Sequence, residues 1–153
     1  MPVEIEAKMA VPELEAVRVA LRARGAERVG RTDETNVFLD TKGRSLLAGD
    51  EGLRLRTNRD AETGRATHII THKGPQQPGA FKNREETELE VPDAAGALRL
   101  LEKLGLRRTL SFEKRRETWK LGGCKVELDE VPYLGSYVEV EGPGETEVAK
   151  VRE

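Results

Sequence analysis

Apolar and polar residues alternate with a period of two along most of this chain. In "VEIEAK" (3–8), Val3, Ile5 and Ala7 fall on one face of an extended strand, and Glu4, Glu6 and Lys8 fall on the other. The same pattern sets Leu53 and Leu55 against Arg54 and Arg56, Val126 and Leu128 against Glu127 and Asp129, and Val138 and Val140 against Glu139 and Glu141. It predicts strands at 3–8, 36–40, 52–56, 67–73, 84–91, 111–121, 124–131 and 136–141. In "EKRRE" (113–117) both parities are charged, so either Lys114 and Arg116 or Glu113, Arg115 and Glu117 could share the inward face.

Two segments switch to helical spacing. Pro12 suits a first helical position, and Leu14, Val17 and Leu21 make a stripe that ends before Gly25. Asp93 can cap a second helix carrying Leu98, Leu101 and Leu104 and stopping at Gly105. Between the elements lie a polar loop through Gly43 and Gly49, a turn at 60–65, an aperiodic loop at 74–83, a Gly122-Gly123 hairpin turn and a turn at "PYLG" (132–135). A weak repeat, Glu-x-Glu strand followed by a helix, recurs from residues 4, 86 and 139, and its third copy runs out at Glu153 as a helix begins.

Composition narrows the class. A chain of 153 residues is one domain by length, and no cysteine but Cys124 is present, so disulfide frameworks and thiolate metal sites are excluded. Charged residues reach 35%, yet 26 basic residues nearly cancel 28 acidic ones, which argues against bulk nucleic-acid or membrane binding. No apolar run approaches spanning length and no signal-peptide core is visible, so a cytoplasmic location is expected.

An ordinary antiparallel sheet with one wet face would also alternate in this way. Two features favour another arrangement. The polar positions are almost purely Glu, Asp, Arg and Lys, and the signs are sorted by strand: acids at 4–6, 127–129 and 139–141, bases at 54–56 and around 73 and 114–116. Solubility alone gives no reason for such sorting. A closed barrel with helices outside would turn the apolar faces outward and line its lumen with these charges. Ions packed there must pair, stay hydrated or bind a ligand of complementary charge, and a polyphosphate with a divalent cation meets that need. Other tempting residues have plainer readings. His68 and His72 have the parity opposite to Lys73, "KGP" (73–75) lacks the phosphate-loop pattern and reads as a flexible lid, and Cys124 reads as a small buried filler.

"EIEAK" together with "NVFLDT", "LRLR", "THKGP", "REETELEV", "FEKRRE" and "VELDEVPYLGSYVEVEG", in this order and across nearly the whole chain, resembles the CYTH superfamily. That superfamily takes its name from class IV adenylate cyclase and thiamine triphosphatase and is also known as the triphosphate tunnel metalloenzymes. The resemblance implies an α+β fold in which an eight-stranded antiparallel closed β-barrel forms a tunnel with helices packed on the outside. It implies a metal-dependent enzyme acting on a triphosphate-bearing small molecule, with Mg²⁺ or Mn²⁺ as cofactor. By position, Glu4, Glu6, Glu139 and Glu141 would be metal ligands, with Glu127 and Asp129 supporting them or sharing a second ion. Lys8, Arg54, Arg56, Lys73, Arg84, Lys114 and Arg116 would clamp the phosphates, and Glu86 and Glu88 would stand in the lumen. Lys8 and Glu6 are the candidate catalytic residues. No nucleic-acid or membrane partner is expected, and a homodimer is compatible with the resemblance.

Water attacking the terminal phosphorus would make the enzyme a triphosphatase; a ribose hydroxyl attacking the α-phosphorus would make it an adenylate cyclase. A binding module without turnover is the further alternative. Some class IV cyclases carry a His-Phe pair shortly before Glu-x-Glu-x-Lys, whereas Met1, Pro2 and Val3 precede Glu4 here. Relatives continue through a C-terminal helix and a Ser-Tyr tail, so residues 1–153 are expected to form a single tunnel domain with that helix and tail cut short.

Overall fold

A computed structural model describes residues 3–79 and 81–152. The elements are β1 (Val3–Val11), α1 (Leu14–Ala23), β2 (Glu27–Thr41), α2 (Ser45–Ala48), β3 (Gly52–Asp60), β4 (Ala66–Lys73), β5 (Lys82–Val91), α3 (Ala94–Lys103), β6 (Leu106–Leu121), β7 (Cys124–Val131), β8 (Gly135–Gly142) and α4 (Glu145–Arg152). The strands close a ring in the order β1-β5-β4-β3-β2-β6-β7-β8, with β8 pairing back onto β1. Every neighbouring pair is antiparallel. No helix among the described residues is long and apolar enough to cross a membrane.

The apolar faces point outward, as a ring with external helices requires. Val126, Leu128, Val138 and Val140 leave the ring to meet Leu14 and Leu21 of α1 and Val148 and Val151 of α4. Leu128 is 1% exposed and Val148 is 0% exposed, so the true core lies between the strands and the helices, outside the tunnel. A second core joins Val37, Leu39 and Leu55 to Ala97, Leu98 and Leu101 of α3. Each such side chain contributes roughly 1.5–3 kcal/mol on burial, which anchors the strand parity and so aims the alternate residues inward.

Local signals act largely as their chemistry predicts. The Asp93 carboxylate accepts hydrogen bonds from the Ala95 and Gly96 N–H groups and starts α3. Gly122 and Gly123 have φ of +56° and +77°, the pair of left-handed residues that a tight hairpin with matching twist needs.

Four expectations are revised. Helix α1 begins at Leu14 behind Glu13, because Pro12 still belongs to the bend that leaves β1. The third leucine of the α3 stripe, Leu104, is 72% exposed, since the helix has already ended beneath it. The loop around residue 45 contains the short α2, whose Leu46 and Leu47 N–H groups donate to the Asp40 carboxylate. Strand β2 begins at Glu27, nine residues before Asn36, because its first half is polar on both faces and carries no hydrophobic period.

Candidate functional site

The ring encloses a cavity of about 760 Å³. The alternation places Glu6 and Lys8 (β1), Arg54 and Arg56 (β3), Lys73 (β4), Arg84, Glu86 and Glu88 (β5), Lys114 and Arg116 (β6), Glu127 (β7) and Glu139 and Glu141 (β8) around it. On β6 the inward parity belongs to Lys114 and Arg116. Glu117 lies on the outside, 8% exposed, where it pairs with Arg18 of α1 and accepts from the Trp119 indole N–H at 2.8 Å. The Glu4 backbone pairs opposite Arg84, and its side chain lies outside the described residues.

The walls differ in character. On the β2-β6-β7-β8 side, buried ions pair among themselves. Arg116 donates to both oxygens of Asp129, from Nε and Nη2 at 2.8 Å each, and also reaches Glu127 at 3.1 Å, Glu139 at 3.1 Å and Glu34 at 3.5 Å. Lys114 donates to Asp129 at 3.1 Å, and Lys8 stands 3.6 Å from Glu139. Asp129 is 1% exposed and sits behind the cavity wall with both oxygens engaged.

Burial would raise the acids' pKa values. The hydrogen bonds and charge of Arg116 outweigh it for Asp129, and the charges of Arg116 and Lys114 outweigh it for Glu139, so both are held below the usual carboxylate range. Glu127 goes the other way. Its burial dominates and pushes its pKa up, because it receives only a share of a guanidinium that three other acids also use. Burial would lower the pKa of Arg116, yet the acids around it raise it well above the ordinary value. Lys114 is lowered, first by burial and then by the neighbouring Arg116.

The β3-β4-β5 side carries the cations that are less fully matched. Arg56 donates to Asn36 Oδ1 at 2.7 Å and lies 3.0 Å from Glu34, but burial and then the charge of Arg54 bring its pKa down to about 10. Beside it, Arg54 Nε and Thr71 Oγ1 are buried with no hydrogen-bond partner among the described residues. Arg54 and Thr71 are register partners across β3 and β4, so the two atoms belong to one stretch of wall. Lys73 faces Glu86 at 3.9 Å. The Arg84 guanidinium ties two mouth loops together, donating to the Asp50 carbonyl and carboxylate and to the Gly74 carbonyl at 2.8–3.1 Å.

Carboxylates from β1, β8 and β7 follow one another around the ring: Glu6 opposite Glu141, and Glu139 opposite Glu127. Hard oxygen donors of this kind suit Mg²⁺ or Mn²⁺. Among the described residues no three such groups stand in a ready-made cage, and Glu127 and Glu139 bond to cations instead.

A family model for the CYTH domain matches residues 2–153. The chain belongs to the CYTH domain family. It is 27% identical over 139 residues to the protein named "Putative adenylate cyclase MJ0240" of Methanocaldococcus jannaschii, a match spanning 91% of this chain and 76% of that one. It is 29% identical over 138 residues to the adenylate cyclase CyaB of Aeromonas hydrophila, spanning 90% and 67%. Among solved structures, the PH1819 protein of Pyrococcus horikoshii aligns with a TM-score of 0.83 at 27% identity, covering 97% of this chain and 83% of that one. The CYTH ring is therefore shared with proteins solved independently.

Within the CYTH ring, the cavity-lining Glu34, Phe38 and Phe112 escaped the sequence reading, as did Asn36, buried in the wall beside Glu34. Glu34 is 3% exposed and Asn36 is 0% exposed, and together they hold Arg56 against the wall. Even parity carried backwards from Asn36 to Glu34 would have found the acid. The histidines are accounted for: His68 Nδ1 bonds the Thr57 hydroxyl, and His72 Nε2 bonds Glu51 at 2.9 Å.

Proposed function

We propose that this protein is a divalent-metal-dependent enzyme that cleaves the phosphoanhydride of triphosphate substrates by hydrolysis. The observation that carries this reading is that two buried donors, Arg54 Nε and Thr71 Oγ1, have no partner among the described residues, on a wall where Arg56, Lys73 and Arg84 also converge. A buried donor left unmade costs about 1–3 kcal/mol, so such a site is prepared for an oxygen-rich anion. One phosphate would occupy only part of it. A cavity of about 760 Å³ is within the range that holds a nucleotide-sized molecule.

In this mechanism Arg54, Arg56, Lys73 and Arg84 neutralise the phosphate chain and hold the scissile phosphorus in line with its nucleophile. An anion between Arg54 and Arg56 also relieves the repulsion that lowers the Arg56 pKa. Glu6, 6% exposed, orients the attacking water and accepts its proton, and Lys8, at the wet end of the acidic wall, reaches the phosphate oxygens. Arg116 and Lys114 hold Asp129, Glu139 and Glu127 in place. Mg²⁺ or Mn²⁺, held by Glu4, Glu6, Glu139 and Glu141 with Glu127 and Asp129 in support, would neutralise charge on the phosphate oxygens.

The second reading is adenylate cyclase, favoured by the names of the M. jannaschii and A. hydrophila relatives. One incubation decides between them. Purified protein is mixed with Mg²⁺ or Mn²⁺ and either ATP or inorganic triphosphate, and phosphorus NMR resolves the products. Orthophosphate, lost in Glu139→Gln, supports hydrolysis. Cyclic AMP with pyrophosphate supports the cyclase. Binding without product would make the protein a binding module and overturn both.

A further inference from the structure

The ribbon formed by β2 and β6 outruns the ring. β3 pairs with β2 only as far as Leu39, and β7 pairs with β6 only from Arg115. The last pairs of the ribbon, Asp40 with Arg107 and Thr41 with Leu106, therefore have no third strand on either side among the described residues. This tip lies between α2, which follows β2, and the end of α3, which leads into β6.

The charge of the tip departs from that of the chain. Residues 41–48 and 99–110 hold six cations, Lys42, Arg44, Arg99, Lys103, Arg107 and Arg108, against one acid, Glu102, in a chain whose net charge is −2. All six cations are exposed. Among the described residues only Arg108 of the six is in an ion pair, with Glu102 at 3.1 Å. The nearby Asp40 is buried, and its carboxylate accepts from the N–H groups of Thr41, Leu46 and Leu47.

Large apolar side chains stand among these cations. Leu100 and Leu104, one helical turn apart at the end of α3, are 61% and 72% exposed, and Leu47 of α2 and Leu110 of β6 are 66% and 57% exposed. Leu110 pairs with Phe38 on the inner side of the ribbon, whereas α3 packs on the outer side, so leucines flank the tip on both. One exposed leucine needs no explanation, but four around a single cationic tip do. A nucleic acid would use the cations and leave the leucines in water. A lipid surface uses both: the cations stay with anionic headgroups while the leucines sink to the edge of the acyl chains.

We propose that the β2-β6 tip, with α2 and the end of α3, docks on an anionic lipid surface. Lys42, Arg44, Arg99, Lys103 and Arg107 meet the headgroups, and the four leucines enter beneath them. The near-neutral composition hides this surface, because the balancing acids lie elsewhere in the fold. Leu47 also lines the tunnel cavity, so the docked protein turns that mouth toward the lipid.

Co-sedimentation of the full chain with vesicles of phosphatidylcholine, alone or mixed with phosphatidylserine, tests this. The wild type should bind the mixed vesicles and not the neutral ones, and salt at about 1 M, which screens charges beyond about 3 Å, should release it. Lys42→Ser combined with Lys103→Ser should weaken partitioning by about thirtyfold, from about fivefold per cation. Leu104→Ser should weaken it by about tenfold, and melting curves establish that both variants fold. Inorganic triphosphate should leave vesicle binding unchanged; release by it would put a lipid phosphate in the tunnel and overturn the tip. No binding to mixed vesicles, or binding unchanged in both variants, also overturns the proposal. Retention on immobilised polyglutamate without vesicle binding would make the partner an acidic protein and overturn the lipid.

Discussion

Replacing Arg116 with methionine should destabilise the protein strongly at pH 8 and much less at pH 6. Arg116 is 7% exposed and touches Glu34, Glu127, Asp129 and Glu139. Methionine keeps the apolar stem and removes the charge. Asp129 still has Lys114, Glu139 still has Lys8 and Glu34 still has Arg56. Glu127 loses the one ion pair it makes among the described residues, at 5% exposure. Breaking a buried pair in this way costs about 3–5 kcal/mol.

The loss has a ceiling, because Glu127 can take up a proton instead. Starting from an unfolded-state pKa of about 4.3, that protonation costs about 5 kcal/mol at pH 8 and about 2 kcal/mol at pH 6. The sign follows from linkage: the variant raises the folded pKa of Glu127 further above its unfolded value, so stability is present at low pH and lost as pH rises. The gap between wild type and variant should therefore close by about 1.4 kcal/mol per pH unit on acidification. Urea unfolding followed by fluorescence of Trp119, the single tryptophan and 3% exposed, measures it. A gap below about 1 kcal/mol at pH 8, or one equal at both pH values, would refute the shared-cation account.

Further outcomes follow from the same geometry. Arg54→Ala should not lower stability, since it removes a charge that crowds Arg56 and a buried donor without a partner among the described residues, and it should abolish the rise in melting temperature expected of the wild type with triphosphate. A melting temperature still raised by triphosphate in the variant would remove Arg54 from the site. Leu128→Ala should cost about 2–5 kcal/mol in urea unfolding, because this strand side chain points into the outer core; a loss under about 1 kcal/mol would contradict the inside-out parity. Glu127→Gln should raise the melting temperature at pH 8 and lose that advantage toward pH 4, because the wild-type carboxyl, whose folded pKa is raised, regains its stability below its unfolded pKa. A melting temperature at pH 8 no higher than that of the wild type would count against the burial of that charge.

How much of this could be read without coordinates differs from residue to residue. Strand alternation is a local property, fixed by which side chains can leave water, so Glu6, Lys8, Arg54, Arg56, Glu127, Glu139 and Glu141 were legible as one inward-facing set. The caps and turns at Asp93 and Gly122-Gly123 were legible for the same reason, since each acts on its own backbone. On β6, where both parities are charged, only the packing of Glu117 under Arg18 and Trp119 decided that Lys114 and Arg116 turn inward. Glu34 was hidden because the part of β2 before Asn36 has no apolar face, so nothing local marks it as a strand until β6 pairs with it. The division of the tunnel into a wall of buried ion pairs and a wall where Arg54 Nε and Thr71 Oγ1 lack partners among the described residues came only with the fold. Charge sign is written in the residues, but which acid meets which cation depends on ring closure and register, contacts made across 11 to 82 residues of separation around Arg116 alone.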